Sequence, residues 1–293
     1  MIAATATATA GRAVRAQTVP AGLRLRLLGG FSAWVDDAPV DECEWKRRKV
    51  SRLVKLLALA PDHRLHRDQV IGLLWPALEA RAAAQNLHHT LYRARRALEP
   101  TLERRGEPRF LRLHDDLVAL APAGELEIDL ARFERAARRA FATPGDIGLQ
   151  REAVDRYGGE LLPGDRFEDW AIDRRDAAQA MYFDLLLGLA DLERDRGDLE
   201  AAHDALRRIV AAEPLHEDAQ ARLIHLNGLA GRRHLAVTQY RRFRDLLRDR
   251  LDAEPLPTTT EVYERVISGQ VCRQCDARPV ALHGMLDRRV AAG

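Results

Sequence analysis

Alternation of apolar and polar positions marks the first folded segment of the chain. In LRLRLLGGFSAWV, residues 23–35, every second residue is apolar up to the Gly29-Gly30 pair, and the alternation resumes after it. Strands of a half-buried sheet have this period, and paired glycines favour a turn between them. The stretch Asp36–Pro39 then predicts another turn, into a short strand near Val40. The segment therefore predicts a small antiparallel sheet.

Three stretches with apolar residues at helical spacing follow, and each is ended by a proline. They cover residues 50–60, 67–75 and 81–98. Alternation returns in FLRLHDDLVAL, residues 110–120, on both sides of a His-Asp-Asp turn, as in a β-hairpin. A sheet, three helices and a hairpin in this order predict an α+β winged helix-turn-helix. The third helix of such a domain lies in the major groove of DNA.

Helical periodicity continues through the rest of the chain. The approximate helices are residues 129–141, 146–157, 169–196, 198–212, 216–229, 232–250 and 259–268. Within them Gly197 and Gly231 lie 34 residues apart, and Ala202 matches Ala236. This is the tetratricopeptide period, in which glycine permits the turn and alanine lets two helices approach. Arg248 stands where a second repeat would end in proline. We expect an all-α tetratricopeptide-like repeat domain.

The patterns divide the chain into four segments. Residues 1–21 are of low complexity without an acidic residue, which predicts a disordered tail. Residues 22–121 form the predicted winged helix-turn-helix, residues 122–270 the helical repeat domain and residues 271–293 a second tail.

Charge is distributed unevenly along a chain whose net charge is only +2. Residues 21–121 carry 18 basic and 13 acidic residues, whereas residues 122–270 carry 22 and 29. A basic first domain suits a polyanion such as double-stranded DNA. We expect the acidic second domain to contact a protein or no partner at all, and to repel approaching DNA slightly.

The predicted third helix has a polar face that suits DNA reading. Opposite a seam of Leu87, Leu91, Ala94 and Leu98 stand histidines, a tyrosine and arginines. Polar side chains on such a face reach base edges, and flanking arginines reach phosphates. The candidates for base edges are Gln85, His88, His89 and Tyr92, and those for the backbone are Arg93, Arg95 and Arg96.

Two further groups of cations are candidate phosphate contacts. Lys46, Arg47, Arg48 and Lys49 precede a helix, whose first N–H groups also favour an anion, although a solvated charge run has the same sequence. Arg109 and Arg112 lie in the predicted hairpin and are candidates for a neighbouring minor groove.

Sequence motifs of catalysis, cofactors and membranes are missing. The chain has no G-x-x-x-x-G-K-[ST] loop and no serine in a G-x-S-x-G elbow, so we expect no enzymatic activity and no cofactor. Apolar runs such as residues 185–190 are too short to span a membrane. Three cysteines and no signal peptide suggest a cytoplasmic protein. The pair Cys272 and Cys275 has the spacing of half a zinc site or of a redox pair, but no second ligand pair lies nearby in the sequence, and we expect no metal.

The two halves resemble two known families. Residues 23–120, with WKRRKVSRLVKLLALAP, VIGLLWP and NLHHTLYRARRAL, resemble the OmpR/PhoB-type winged helix. Residues 126–268, with EIDLARFERAARRA, YGGELLPG, FEDWAIDRR and RLDAEPLPTTTEVYERV, resemble the bacterial transcriptional activator domain (BTAD). This order resembles the actinomycete antibiotic-regulatory activators and the N-terminal region of larger AfsR-like regulators. His66 departs from the family's usual serine or threonine, so the cap of the second helix should be weaker or come from another group.

The resemblance implies a transcription activator that binds direct repeats beside a promoter and contacts RNA polymerase. An alternative remains open, in which a tetratricopeptide-like scaffold docks its basic domain on an acidic protein without reading DNA. Whether two copies form a homodimer before meeting DNA also stays open.

Overall fold

The computed structural model describes residues 22–103, 106–121 and 126–271, and these residues form two compact units. The first unit contains residues 22–26 and the described residues between 31 and 128. The second contains residues 27–30 together with the described residues from 129 onward.

The first unit is a winged helix-turn-helix. Its strands are β1 (Leu23–Arg26), β2 (Ser32–Val35), β3 (Ala38–Pro39), β4 (Arg64–His66), β5 (Leu111–His114), β6 (Leu117–Leu120) and β7 (Leu126–Ile128). Its helices are α1 (Glu42–Trp45), α2 (Arg48–Leu59), α3 (Arg67–Leu74) and α4 (Ala80–Leu98). The three long helices pack on one another, as the helical spacing predicted.

Two sheets flank the helices of this unit. One has the strand order β3-β2-β1-β7, and its β7, which the sequence analysis missed, pairs parallel with β1. The other has the order β4-β6-β5 and forms the wing. The predicted hairpin supplies β5 and β6, and the unpredicted β4 joins them. In this sheet Leu65, Val118 and Leu113 form one cross-strand row, whose Val118 is fully buried.

The start of α3 shows why histidine suffices where a hydroxyl residue was expected. The Asp68 amide donates to Nδ1 of His66 over 3.3 Å, and the His66 amide donates to Oε1 of Gln69 over 3.0 Å. These reciprocal bonds are a capping box. The sequence predicted a cap that is weaker or comes from another group, and in the structure the His66 imidazole takes the place of the hydroxyl group.

The second unit is all-α beyond residue 129. Its helices are α5 (Asp129–Ala142), α6 (Ile147–Asp155), α7 (Asp169–Arg196), α8 (Leu199–Ala212), α9 (Glu217–Leu229), α10 (Arg233–Leu251) and α11 (Pro257–Ile267). Consecutive helices pack on each other. Gly197 and Gly231 adopt positive φ angles of 88° and 71° at the predicted repeat turns. Ala202 and Ala236 are fully buried, as close helix contact requires.

The Gly-Gly turn of the first hairpin belongs to the second unit. The Asp129 carboxylate accepts hydrogen bonds from the amides of Leu27 and Leu28, over 2.8 and 3.0 Å. Both leucine side chains are buried. A Cβ atom on Gly29, whose φ is +73°, would lie 2.4 Å from the carbonyl oxygen of Gly158. Glycine is therefore required here by backbone conformation and by close approach.

Among the described helices, none has the length and apolar character needed to cross a membrane.

Candidate nucleic-acid interface

Helix α4 has one buried side and one exposed side. Its seam of Leu87, Leu91, Ala94 and Leu98 is at most 2% exposed, and Ala83, Thr90 and Ala97 widen it. Gln85, His89, Tyr92 and Arg96 are exposed, and His88 is exposed beside them. Their spacing places them on one helical face, which extends about 16 Å between the first and last position.

Arginine side chains near the end of α4 differ in what they contact. Nε of Arg95 donates to the Leu111 carbonyl over 2.9 Å, which ties the helix to the wing. Burial lowers the pKa of the Arg95 guanidinium, and the Glu99 carboxylate opposes that shift. Arg93 is partly buried, and its Nε has no hydrogen-bond partner among the described residues. Arg96 is exposed and donates to the Leu102 carbonyl over 3.3 Å.

The basic run before α2 divides into an outer and an inner part. Lys46, Arg47 and Arg48 are exposed where the helix begins. Lys49 is partly buried instead, and its Nζ donates to the carbonyl of Leu74, the last residue of α3. Burial lowers the pKa of Lys49, and the neighbouring arginines add to the shift. A cation at a helix C-terminus stabilises that helix, so Lys49 fastens α3 to α2.

Arg109 lies just before β5 rather than within it. Its guanidinium contacts both carboxylate oxygens of Asp36, over 3.1 and 3.0 Å, and stacks on the Phe110 ring. Its amide donates to the Glu99 carboxylate. These contacts give Arg109 a structural role at the base of the wing.

The wing presents a pair of arginines that flank an alanine. Arg112 on β5 and Arg64 on β4 are both the register partners of Ala119 on β6, so the three side chains share one face of the sheet. Both arginines are exposed, and Nε of Arg112 donates to the Pro108 carbonyl. Arg64 is not among the candidates predicted from the sequence. The alternation of Arg64, Leu65 and His66 was the available signal, but three residues are too few to predict a strand.

Metal and redox sites have little support in the described part of the chain. It contains no cluster of three metal-ligating side chains, and its Cys43 is a free, exposed thiol. Cys272 and Cys275 lie outside the described residues.

Comparisons with known proteins agree with this architecture. Residues 128–267 match the family model of the bacterial transcriptional activator domain. Over 254 residues the chain is 27% identical to Regulatory protein AfsR of Streptomyces coelicolor, an alignment that covers 84% of the chain. It covers 24% of AfsR, so the chain spans about a quarter of that relative's length.

A solved structure shares the fold of both halves. The chain superposes on Mycobacterium tuberculosis EmbR, in complex with a low affinity phosphopeptide, with a TM-score of 0.70 and 22% identity. The superposition covers 88% of this chain and 67% of the EmbR chain. Residues 128–267 therefore match the bacterial transcriptional activator domain, and in this chain they follow a unit with the winged helix-turn-helix fold.

Proposed function

We propose that this chain is a sequence-specific DNA-binding transcription activator that places α4 in the major groove. The observation that carries the proposal is that one side of α4 is buried and the opposite side is exposed. Its leucine seam is held inside the first unit, and Gln85, His89, Tyr92 and Arg96 remain exposed on the opposite face. The major groove admits one helix, and side chains of these types reach base edges and phosphates from it.

Differences in burial and contacts support separate roles for the candidate residues. Base edges are read by Gln85, His88, His89 and Tyr92. The sugar-phosphate backbone of the DNA is contacted by Arg96 and by the partly buried Arg93. Exposed cations at the start of α2 and on the wing bind phosphates, namely Lys46, Arg47, Arg48, Arg64 and Arg112. Arg95, Lys49 and Arg109 position the helix, the turn and the wing, because their side chains are partly buried and donate to groups of the protein. Arg96 and Arg112 also donate to backbone carbonyls, but their side chains are exposed.

The activator domain supplies the output of the regulator. The similarity to AfsR, a regulatory protein, supports this part of the proposal. In this proposal the chain binds direct repeats beside a promoter, and its helical repeats contact RNA polymerase or a second copy of the chain.

Binding selectivity tests the proposal directly. The full chain should bind a promoter fragment, chosen by footprinting from the region upstream of its own gene, at least about 10³-fold more tightly than a random duplex of equal length. Both duplexes are compared at one salt concentration, because phosphate contacts make affinity salt-dependent. Equal binding to both would reject sequence reading and favour a scaffold whose basic domain docks on an acidic protein.

A further inference from the structure

Five arginines surround one groove in the second unit. The groove has a volume of about 590 Å³, lies along α5 and α6, and is lined by Arg132, Arg135, Arg138, Arg139, Arg156 and Ala142. The groove is basic, although acidic residues outnumber basic ones in residues 122–270 as a whole. Net charge along the sequence therefore conceals a concentrated basic site.

The groove is only partly neutralised by the protein. Glu152 accepts hydrogen bonds from Arg139 and Arg156, over 2.9 and 3.0 Å. Arg135 and Arg138 are exposed, and the described residues give neither of them an ion-pair partner. Arg135 and Arg139 lie one turn apart on α5, where like charges repel. A bound anion would relieve this repulsion.

The composition of the lining indicates the class of ligand. Guanidinium groups bind phosphate through two parallel hydrogen bonds, so a row of arginines suits a chain of phosphates. The cores of protein interfaces are instead rich in aromatic residues and poor in charge. Here the lining residue other than arginine is an alanine. The groove thus has the chemistry of a nucleic-acid contact rather than of a protein interface.

We propose that this arginine groove binds the sugar-phosphate backbone of duplex DNA. The activator domain then has a DNA contact of its own, separate from the residues of α4 and the wing. This inference rests on the proposed function in one respect, namely that duplex DNA is the ligand of the chain.

The salt dependence of DNA binding by the full chain tests the inference. Each phosphate contact contributes about 0.9 to the slope of log affinity against log salt. The double variant R135Q/R138Q should therefore lose about 1.8 from the slope. Across a fourfold rise in salt, wild-type affinity should fall about twelvefold more than that of the variant. The footprint on promoter DNA should keep its sequence, because backbone contacts do not read bases.

A matched control separates the groove from general charge. R241Q/R242Q removes the same charge from two exposed arginines of α10 and should leave the slope at its wild-type value. Circular dichroism and thermal unfolding verify that the variants fold. If the double variant unfolds, R135Q and R138Q are measured singly, and each should lower the slope by about 0.9.

The outcomes distinguish this inference from the proposed function. Equal slopes for R135Q/R138Q and its control would overturn the inference. A groove that binds an acidic protein instead of DNA would give this result. A wild-type chain without preference for promoter over random duplex would reject the proposed function. In that case a reduced slope of R135Q/R138Q on the random duplex would still support the groove.

Discussion

The Arg109 guanidinium pairs with the Asp36 carboxylate across 73 positions of the sequence, with both oxygens within 3.1 Å. Asp36 follows β2 in a turn with a φ of +49°, and Arg109 precedes the first strand of the wing hairpin. The pair therefore joins the first sheet to the base of the wing. Arg109, a candidate DNA contact by sequence, therefore makes a contact within the fold, and its contact with DNA stays a prediction.

Substituting Arg109 and Arg112 should separate structural from DNA-binding roles. R109Q should lower the free energy of unfolding by up to about 1 kcal/mol, because the pair is partly exposed and screened by solvent. It should leave the salt slope of DNA binding unchanged. R112Q should have the reverse effect, with little loss of stability and a slope lower by about 0.9. Chemical denaturation and binding titrations measure the two quantities, and a lower slope for R109Q would return this residue to the DNA interface.

Long periodic segments were the part of the fold that the sequence predicted well. The predicted helix at residues 169–196 coincides with α7, and the Gly197 and Gly231 turns lie where the 34-residue period placed them. Many apolar positions contribute to such a pattern, so a single exception does not hide it. The three-residue strands β4 and β7 are too short to show a recognisable periodic pattern, and their partner strands are distant in sequence.

The roles of individual cations could be predicted only in part. The exposed face of α4 follows from helical geometry, because it lies opposite the apolar seam. Arg95 and Lys49 donate instead to backbone carbonyls at Leu111 and Leu74, which only the tertiary fold brings near. Long side chains reach several neighbours, so their sequence position does not determine what they contact.

The Gly-Gly turn provides a test of close packing. G29A should lower the free energy of unfolding by about 2–4 kcal/mol, because the residue has a positive φ and its Cβ would collide with the Gly158 carbonyl. G72A should instead raise it by about 0.5–1 kcal/mol, since Gly72 lies inside α3 with open space around the added atom. Urea titrations of both variants check the signs, and a stable G29A would show that the two backbones are not in contact.

A stacked tyrosine pair should make stability depend on alkaline pH. Tyr157 stacks on Tyr182 with ring centroids 4.0 Å apart. Burial raises the pKa of Tyr157 from 10.0 to about 12, and Tyr182 and Glu160 add to the shift. The folded state therefore keeps the neutral phenol at a pH where the unfolded chain ionises. This contribution is complete below pH 10 and is lost as the pH rises toward 12.

Replacing the phenol should remove that dependence. Between pH 10 and 12 the free energy of unfolding should fall by about 1–2 kcal/mol more in the wild type than in Y157F, a value reduced for partial solvent exposure. Y92F alters an exposed tyrosine of α4 and should retain the wild-type profile. Denaturant titrations at a series of pH values provide the measurement. Parallel profiles for wild type and Y157F would assign the alkaline loss to other groups.

The exposed face of α4 makes the most direct prediction about function. Q85A and H89A should change the preferred base at single positions, at about 1–3 kcal/mol per lost contact, because their side chains point toward base edges in the proposed complex. R96A should weaken binding to all duplexes alike, since a phosphate contact carries no sequence information. R241A, on α10 of the activator domain, is the control and should bind as the wild type does.

Selection of bound sequences from a random pool distinguishes these cases. The sequence preferred by R96A should equal that of the wild type at lower affinity, whereas Q85A and H89A should each relax a different position. Those positions should lie on the same half-site, because the two residues are four apart on one helix and project in the same direction. Identical preferences for all four proteins would mean that a surface other than α4 reads the bases, even if the phosphate contacts remain.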